Sequence, residues 1–320
     1  MSTRSRSLVA AVAAAVLLLA GCATKTAGVA ETSAAASAGA LQAAGGSPGS
    51  SPAGGQTGTG STASGSPGSS PAGGQTGTGS TASGSVAVDP QAWAQKLDDG
   101  MKRVTSLTGS AAVDGAIKET AIVKETLDGG RLKAADIAMT LVEGGSSVPM
   151  SLRLISGKAY LGGAAIISLI GSKAAGKQWV LLAANSSDPS IAAIGKALGP
   201  MQQLAGTDSY VYFAKAAKSI TMDGKEKVGS FDATKYQVDI DLTKIAAVLP
   251  PELKDYGQQI AASGMKDINS TYWIDDQNRL VKAVLGLTVQ GVTQRTTVTI
   301  DAFNLPVTIE APAAATVYTG

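Results

Sequence analysis

The 320-residue sequence contains no histidine and a single cysteine, Cys22. An internal disulfide is therefore impossible. Without an imidazole or a second thiol, the usual catalytic triads and the zinc sites built from cysteine and histidine are also excluded. We predict no catalytic residue, no metal site and no cofactor for this chain. Its stability has to come from a hydrophobic core, and the chain is long enough to form one.

An excess of charge of either sign is also missing. The sequence has 26 Lys and Arg residues against 24 Asp and Glu residues. Loss of residues 1–21 as a signal peptide would take away Arg4 and Arg6 and no acid, which leaves 24 of each sign. A balanced chain has no electrostatic reason to bind nucleic acid or an anionic lipid surface, so we predict no nucleic-acid partner.

The N-terminus has the parts of a secretory signal. Basic Arg4 and Arg6 precede an apolar run from Leu8 to Leu19, which is shorter than the roughly 20 residues that cross a bilayer. The run ends in Leu-Ala-Gly-Cys, which resembles the lipobox of bacterial lipoproteins. This resemblance implies cleavage before Cys22, acylation of Cys22, and a mature chain that is lipid-anchored at the outer, extracytoplasmic face of a bacterial cell membrane.

Residues 22–87 consist mainly of alanine, glycine, serine, threonine and proline, and part of the segment is a direct repeat. The 19 residues 46–64 recur without change as residues 65–83. This composition offers too little apolar surface for a packed core, so the segment is predicted to be a disordered tether. About 65 residues of flexible chain reach roughly 45 Å. Residues 88–320, the predicted folded domain, can then leave the membrane surface while they stay attached.

Aspartate followed by proline twice marks the start of a predicted helix, as an N-cap with proline in the first turn. The first helix starts at Asp89-Pro90 and the second at Asp188-Pro189, and a third is predicted after Pro250-Pro251. Apolar residues at helical spacing give the second and third helices one apolar face each. These residues are Ile191, Ile194, Leu198, Met201 and Leu204 in the second helix, and Leu253, Tyr256 and Ile260 in the third.

Elsewhere apolar and polar residues alternate, which is typical of half-buried antiparallel strands. The alternation is clearest after Phe231, where Tyr236, Val238, Ile240 and Leu242 share one face. Leu285 and Leu287 alternate in the same way, and Val307 to Ile309 is predicted to be the last strand. Many antiparallel strands interrupted by amphipathic helices predict an α+β fold, with a strongly curved antiparallel sheet and helices on one face.

Several short motifs, in their order along the chain, resemble the LppX and LprAFG lipoproteins of actinobacteria, which are relatives of the LolA and LolB lipoprotein carriers. The motifs are GKAY at 157–160, QWV at 178–180, TKYQVD at 234–239 and YWID at 272–275. The resemblance covers about residues 89–315. It implies an unclosed β-barrel whose concave side, partly covered by helices, holds a cavity for acyl chains.

The candidates for lining this cavity are the apolar helix faces and the inner residues of the strands. They are Ile191, Ile194, Leu198, Met201, Leu204, Leu253, Ile260, Tyr236, Val238, Ile240, Leu285 and Leu287. For each residue, the alternative is that it simply fills the core, and this alternative stays open. Collectively, a wide half-barrel has more inner surface than side chains readily fill, which favours a cavity.

These features predict a non-enzymatic, lipid-binding lipoprotein that holds the acyl chains of a lipid or lipoglycan and carries or transfers it at the cell envelope. Its predicted partners are the acylated lipid or lipoglycan, the membrane through the lipid anchor, and an envelope transporter. The alternative is a protein-interaction lipoprotein with a filled core, which docks on an envelope transporter or a cell-wall enzyme. A filled interior or a large apolar patch on the outer face of the sheet would favour this alternative.

Overall fold

A computed structural model of the chain describes residues 85–115, 118–143, 145–204, 208–262, 267–289 and 292–320. The predicted signal peptide, Cys22 and nearly all of the predicted tether lie outside the described residues. The strands are β1 (Val86–Val88), β2 (Ser106–Asp114), β3 (Lys118–Asp128), β4 (Arg131–Glu143), β5 (Ser146–Ile155), β6 (Lys158–Gly162), β7 (Trp179–Leu181), β8 (Ala217–Val228), β9 (Phe231–Asp241), β10 (Asp267–Asp275), β11 (Leu280–Val289), β12 (Val292–Phe303) and β13 (Val317–Tyr318). The helices are α1 (Pro90–Met101), α2 (Ala164–Ile170), α3 (Pro189–Leu204), α4 (Asp208–Lys215), α5 (Ile245–Val248) and α6 (Lys254–Ala262).

These strands all belong to one sheet, in the order β1-β8-β9-β10-β11-β12-β2-β3-β4-β5-β6-β7-β13. Neighbouring strands are antiparallel, apart from β13, which pairs with β7 in parallel. The sheet is curved and is not closed into a barrel, since β1 and β13 lie at its two edges. The predicted α+β class, with an unclosed, curved sheet and helices on its concave face, is confirmed.

The two aspartate-proline pairs begin helices as predicted. Asp89 Oδ1 accepts a hydrogen bond from the amide of Ala92 at 2.6 Å, at the start of α1. Asp188 Oδ1 accepts one from the amide of Ser190 at 3.0 Å, at the start of α3. The third predicted helix forms as α6, after one 3-10 turn at Pro251–Leu253.

The predicted strand from Val307 to Ile309 is wrong. This part of the chain contains no strand, and the last strand is β13. Instead, the segment crosses the outer face of the sheet. The Ser106 hydroxyl donates to the Leu305 carbonyl oxygen at 2.5 Å, and the Arg153 guanidinium donates to that of Glu310 at 3.1 Å. Side chains of the sheet, rather than a strand ladder, therefore hold this proline-containing segment.

The main hydrophobic core lies between the helices and the concave face of the sheet. Trp93 of α1 meets Tyr236 of β9 in an edge-on contact with 5.3 Å between ring centroids, and it meets Tyr272 of β10 at 5.7 Å. Tyr210 of α4 contacts the same Tyr272 ring at 6.2 Å. These contacts fix α1 and α4 to one part of the sheet. Within the described ranges, no helix is long and apolar enough to cross a membrane.

Candidate functional site

The strand register aligns side chains of the concave face in rows that run across the sheet. One row, called here the Tyr row, joins residues paired directly from β8 to β5. Its members are Met222, Tyr236, Tyr272, Ala283, Val298, Ala111, Ala121, Met139 and Met150. The neighbouring row, called the Glu row, lies on the same face and is displaced from the Tyr row by two residues along each strand. Its members are Ile220, Val238, Ser270, Leu285, Thr296, Val113, Glu119, Leu141 and Val148.

The two ends of the Tyr row are built differently. On β9 and β10 it presents Tyr236 and Tyr272, which the aromatic side chains of α1 and α4 cover; we call this part the tyrosine half. On β2 to β5 it presents four small or flexible side chains, which define the alanine half. They are Ala111, Ala121, Met139 and Met150. Alanine leaves room above a sheet, and methionine adapts its shape to what packs on it.

The structure places most of the predicted cavity residues in the main hydrophobic core. Those buried there are Ile191, Ile194, Leu198, Leu253, Ile260, Val238, Ile240 and Leu285, and Tyr236 is partly buried against them. The side chains of Met201, Leu204 and Leu287 lie outside what the structure describes, as does Cys22. Residues from the predicted helix faces and from the inner strand faces thus share one apolar interior. Their contact with acyl chains stays a prediction.

Two acidic residues of this interior were missed by the sequence analysis. Glu119 and Glu125 of β3 are 2% and 5% exposed. In the segment from Lys118 to Leu127, strict alternation places both glutamates on the same face as Ala121 and Val123. This alternation was the signal available in the sequence. A charged residue that occupies the same alternate positions as the apolar residues of a half-buried strand has to point into the core.

The electrostatics of these two glutamates follow from their burial. Loss of solvation raises the pKa of each carboxyl to about 8, since a buried carboxylate loses its water without gaining a compensating charge. Both are therefore mainly protonated at neutral pH. Among the described residues, neither carboxyl oxygen of Glu119 has a hydrogen-bond partner. An acidic proton is thus available inside an apolar space.

An open groove of about 780 Å³ crosses β12 and β2 to β5, and most of its lining residues face away from the main core. The four residues of the alanine half, Ala111, Ala121, Met139 and Met150, also contribute to its lining. All residues that line it are uncharged, and most are small or carry a hydroxyl group; they include Ser110, Ala112, Thr120, Ala138, Thr140 and Ser151. Ile122, also in the groove, is 63% exposed. Next to the groove, Asp136 and Arg153 form an ion pair at 3.0 Å. None of the predicted cavity residues lines this groove.

In the part of the chain that the structure covers, no three or more Asp, Glu, Cys or His side chains come together as a metal site would require.

Comparison with known proteins gives similar solved structures but no sequence relatives. No family model matches the chain, and no curated protein matches it. LprF from Mycobacterium bovis is 16% identical, with a TM-score of 0.42, over 72% of this chain and 100% of LprF. The lipoprotein LppX from Mycobacterium tuberculosis is 17% identical, with a TM-score of 0.43, over 70% of this chain and 100% of LppX. A LolA superfamily protein from Nitrosomonas europaea is 9% identical, with a TM-score of 0.27, over 70% of this chain and 96% of that protein.

Proposed function

We propose that this chain is a non-enzymatic, lipid-anchored carrier, which binds the acyl chains of a lipid or lipoglycan and transfers it at the cell envelope. The observation that carries the proposal is the alanine half. There, four adjacent strands of an unclosed, concave sheet present Ala111, Ala121, Met139 and Met150 to the apolar interior. A partner such as an envelope transporter would deliver or receive the lipid.

The helices can move more easily than the strands. Ladder hydrogen bonds hold the strands together, whereas the helices lie on the concave face through side-chain packing. Helices can shift away from a sheet without breaking backbone hydrogen bonds of either element. Acyl chains could then replace the apolar contacts that the helices give up, so the apolar surface stays buried. The alanine half is the best place for this exchange, because the tyrosine half is fixed by interlocking rings.

The test of lipid binding uses the mature chain, residues 22–320, with Cys22→Ser so that no acyl group is attached. Native mass spectrometry after incubation with an envelope lipid extract should reveal a stoichiometric acylated adduct. Ala121→Trp, which fills the alanine half, should reduce the adduct at least tenfold. Ala112→Trp is the matched control. Ala112 follows Ala111 on β2, so its side chain faces the other side of the sheet. An adduct-free mass for the unsubstituted chain would overturn the carrier proposal.

The anchor is tested separately in cells. Acylation at Cys22 should place the chain in the membrane fraction and add the mass of acyl groups to its N-terminal peptide. Cys22→Ser should remove this added mass. An N-terminal peptide that carries no acyl group in the wild-type protein would contradict the anchor and leave the lipid-binding test unaffected.

A second candidate function is supported by the outer groove. An uncharged groove with the exposed Ile122 side chain suits a protein partner, as the protein-interaction alternative requires. A photo-crosslinking residue at position 122 should then give one discrete adduct with an envelope transporter or a cell-wall enzyme. The same residue at Val86, which is exposed on edge strand β1, should not. Equal crosslinking at both positions, or none at 122, would reject this candidate.

A further inference from the structure

Glu119 is a buried group for which the fold itself supplies no role. Both of its carboxyl oxygens are inaccessible to solvent and have no hydrogen-bond partner among the described residues. A buried polar group without a partner costs about 1–3 kcal/mol. Such groups are rare in folded proteins, and each calls for an explanation, for example a functional role. Packing alone therefore does not explain a glutamate at this position, where an apolar residue would be more stable.

The surroundings of Glu119 are apolar and partly small. Its directly paired neighbours on the concave face are Val113 of β2 and Leu141 of β4. Ala121, two residues further along β3, faces the same side, which places its side chain about 7 Å away. Glu119 therefore lies beside the alanine half, within reach of a ligand that lies over Ala121.

We propose that Glu119 recognises neutral, ester-linked acyl lipids, by donating a hydrogen bond from its carboxyl group to an ester carbonyl oxygen while the acyl chain lies over Ala121, Ala111 and Met139. This inference rests on the proposed carrier function and names its ligand class. The ester carbonyl oxygen accepts the carboxyl proton, for which the described residues provide no acceptor.

Other ligand chemistries fit this environment less well. A free fatty acid would bring a second carboxyl group into the apolar interior, and burial of its charge is costly. An ammonium group would require an ion pair in the same interior, where the loss of hydration of both ions can exceed their attraction. A hydrocarbon chain without an acceptor would leave Glu119 unsatisfied. An ester satisfies the carboxyl group without bringing in a charge.

The experiment compares two lipids that differ only in the carbonyl oxygens. Dipalmitoylglycerol and dihexadecylglycerol have the same chains and the same free hydroxyl group, but the second has ether links. The mature Cys22→Ser chain should bind the ester about three- to tenfold more tightly than the ether, as expected for one net hydrogen bond. Glu119→Met should reduce this ratio to about one without loss of ether binding. Glu119→Gln keeps a donor and should keep most of the preference.

Glu125→Gln is the matched control. It changes a second buried glutamate on the same face of β3, about 20 Å away, and should leave the ester preference unchanged. Equal binding of ester and ether by the unsubstituted chain would overturn the role of Glu119 while the carrier function stands. Binding of neither lipid by a chain that does take up an acylated lipid from the envelope extract would overturn the proposed ligand class and leave the carrier function standing, whereas no uptake from the extract would contradict the carrier function itself. Since the wild-type ratio needs no substitution, the result does not depend on whether Glu119→Met folds.

Discussion

The two halves of the concave face differ in the kind of apolar surface they present, although they share one sheet and one row of paired residues. In the tyrosine half, Tyr236 and Tyr272 interlock with Trp93 of α1 and Tyr210 of α4. The alanine half has small and flexible side chains, with Glu119 beside it. Rigid rings hold the helix layer on the sheet. A surface of alanine and methionine can pack against side chains of different shapes, and in the proposed function against acyl chains. One side of the interior can thus serve as scaffold and the other as site.

The largest expected effect is the pH dependence of the unfolding free energy, which comes from the two buried glutamates of β3. Burial raises the pKa of Glu119 and of Glu125 from 4.5 to about 8, so the folded state keeps two protons that the unfolded state releases above pH 4.5. The contribution of these two carboxyls to stability is fully present below about pH 4.5 and is lost as the pH rises through about 8. Each carboxyl contributes up to about 5 kcal/mol to this loss. Denaturant titrations at pH 5 and pH 8 should show it.

The matched variants for this pH effect are Glu119→Gln and Glu125→Gln, each of which removes one titrating group. Each should flatten the fall in unfolding free energy between pH 5 and pH 8. A pH dependence that both variants retain in full would mean that neither carboxyl titrates as proposed.

A slightly smaller effect tests the scaffold. Trp93→Ala removes the ring that joins α1 to both Tyr236 and Tyr272, and should lower the unfolding free energy by about 3–5 kcal/mol. Ile122→Ala, on the exposed outer face, should change it by less than about 0.5 kcal/mol. Urea denaturation measures both. Similar values for the two variants would show that the aromatic group does not hold α1.

The third prediction compares equivalent positions in the two parts of the Tyr row. Ala283 of β11, next to the tyrosine half, and Ala121 of the alanine half are both buried. Ala283→Leu should cost about 1–3 kcal/mol, because the packed rings cannot move aside. Ala121→Leu should cost less than Ala283→Leu, because Met139 beside it can change its shape, and it should weaken lipid binding. Equal losses of stability would mean that both parts are packed alike.

The smallest effect concerns a satisfied polar group in the Glu row. The Ser270 hydroxyl donates to the Val238 carbonyl oxygen at 3.0 Å. Ser270→Ala should lower the unfolding free energy by about 0.5–1.5 kcal/mol. Glu119→Met, in the same row, should raise it at pH 8, because an unsatisfied group is removed. A loss of stability in both variants would show that Glu119 has a partner in the folded chain.

Local patterns in the sequence predicted individual helices and strands better than they predicted which segments join the sheet. The aspartate-proline pairs and the alternation around Val238 were sufficient to predict α1, α3 and β9, since caps and side-chain phase are local properties. The sequence from Val307 to Ile309 also alternates, but hydrogen bonds from Ser106 and Arg153 hold the chain around it outside the sheet. These contacts join residues far apart in the sequence, so no local pattern could predict them.

The candidate site depended even more on long-range pairing. Glu119 was recognisable from its phase on β3, but its position beside Ala121 and opposite Leu141 follows from the strand register. The outer groove exists because Ala112, Thr120 and Thr140 come side by side from three strands. No single segment carries these arrangements.

The order of the strands has a consequence for how copies of this chain would behave if the proposed anchor held many of them on one membrane. The first and last strands of the described chain, β1 and β13, form the two edges of the sheet, and they are only three and two residues long. An edge strand exposes unpaired amide and carbonyl groups that can recruit another sheet, and shortness limits this. Molecules that the proposed anchor holds on one surface would meet often. β1 pairs with only three of the 12 residues of β8, so part of β8 is also an edge, and there the charged side chains from Asp223 to Lys227 oppose pairing. Short outer strands and these charges together limit how far one molecule can extend the sheet of the next.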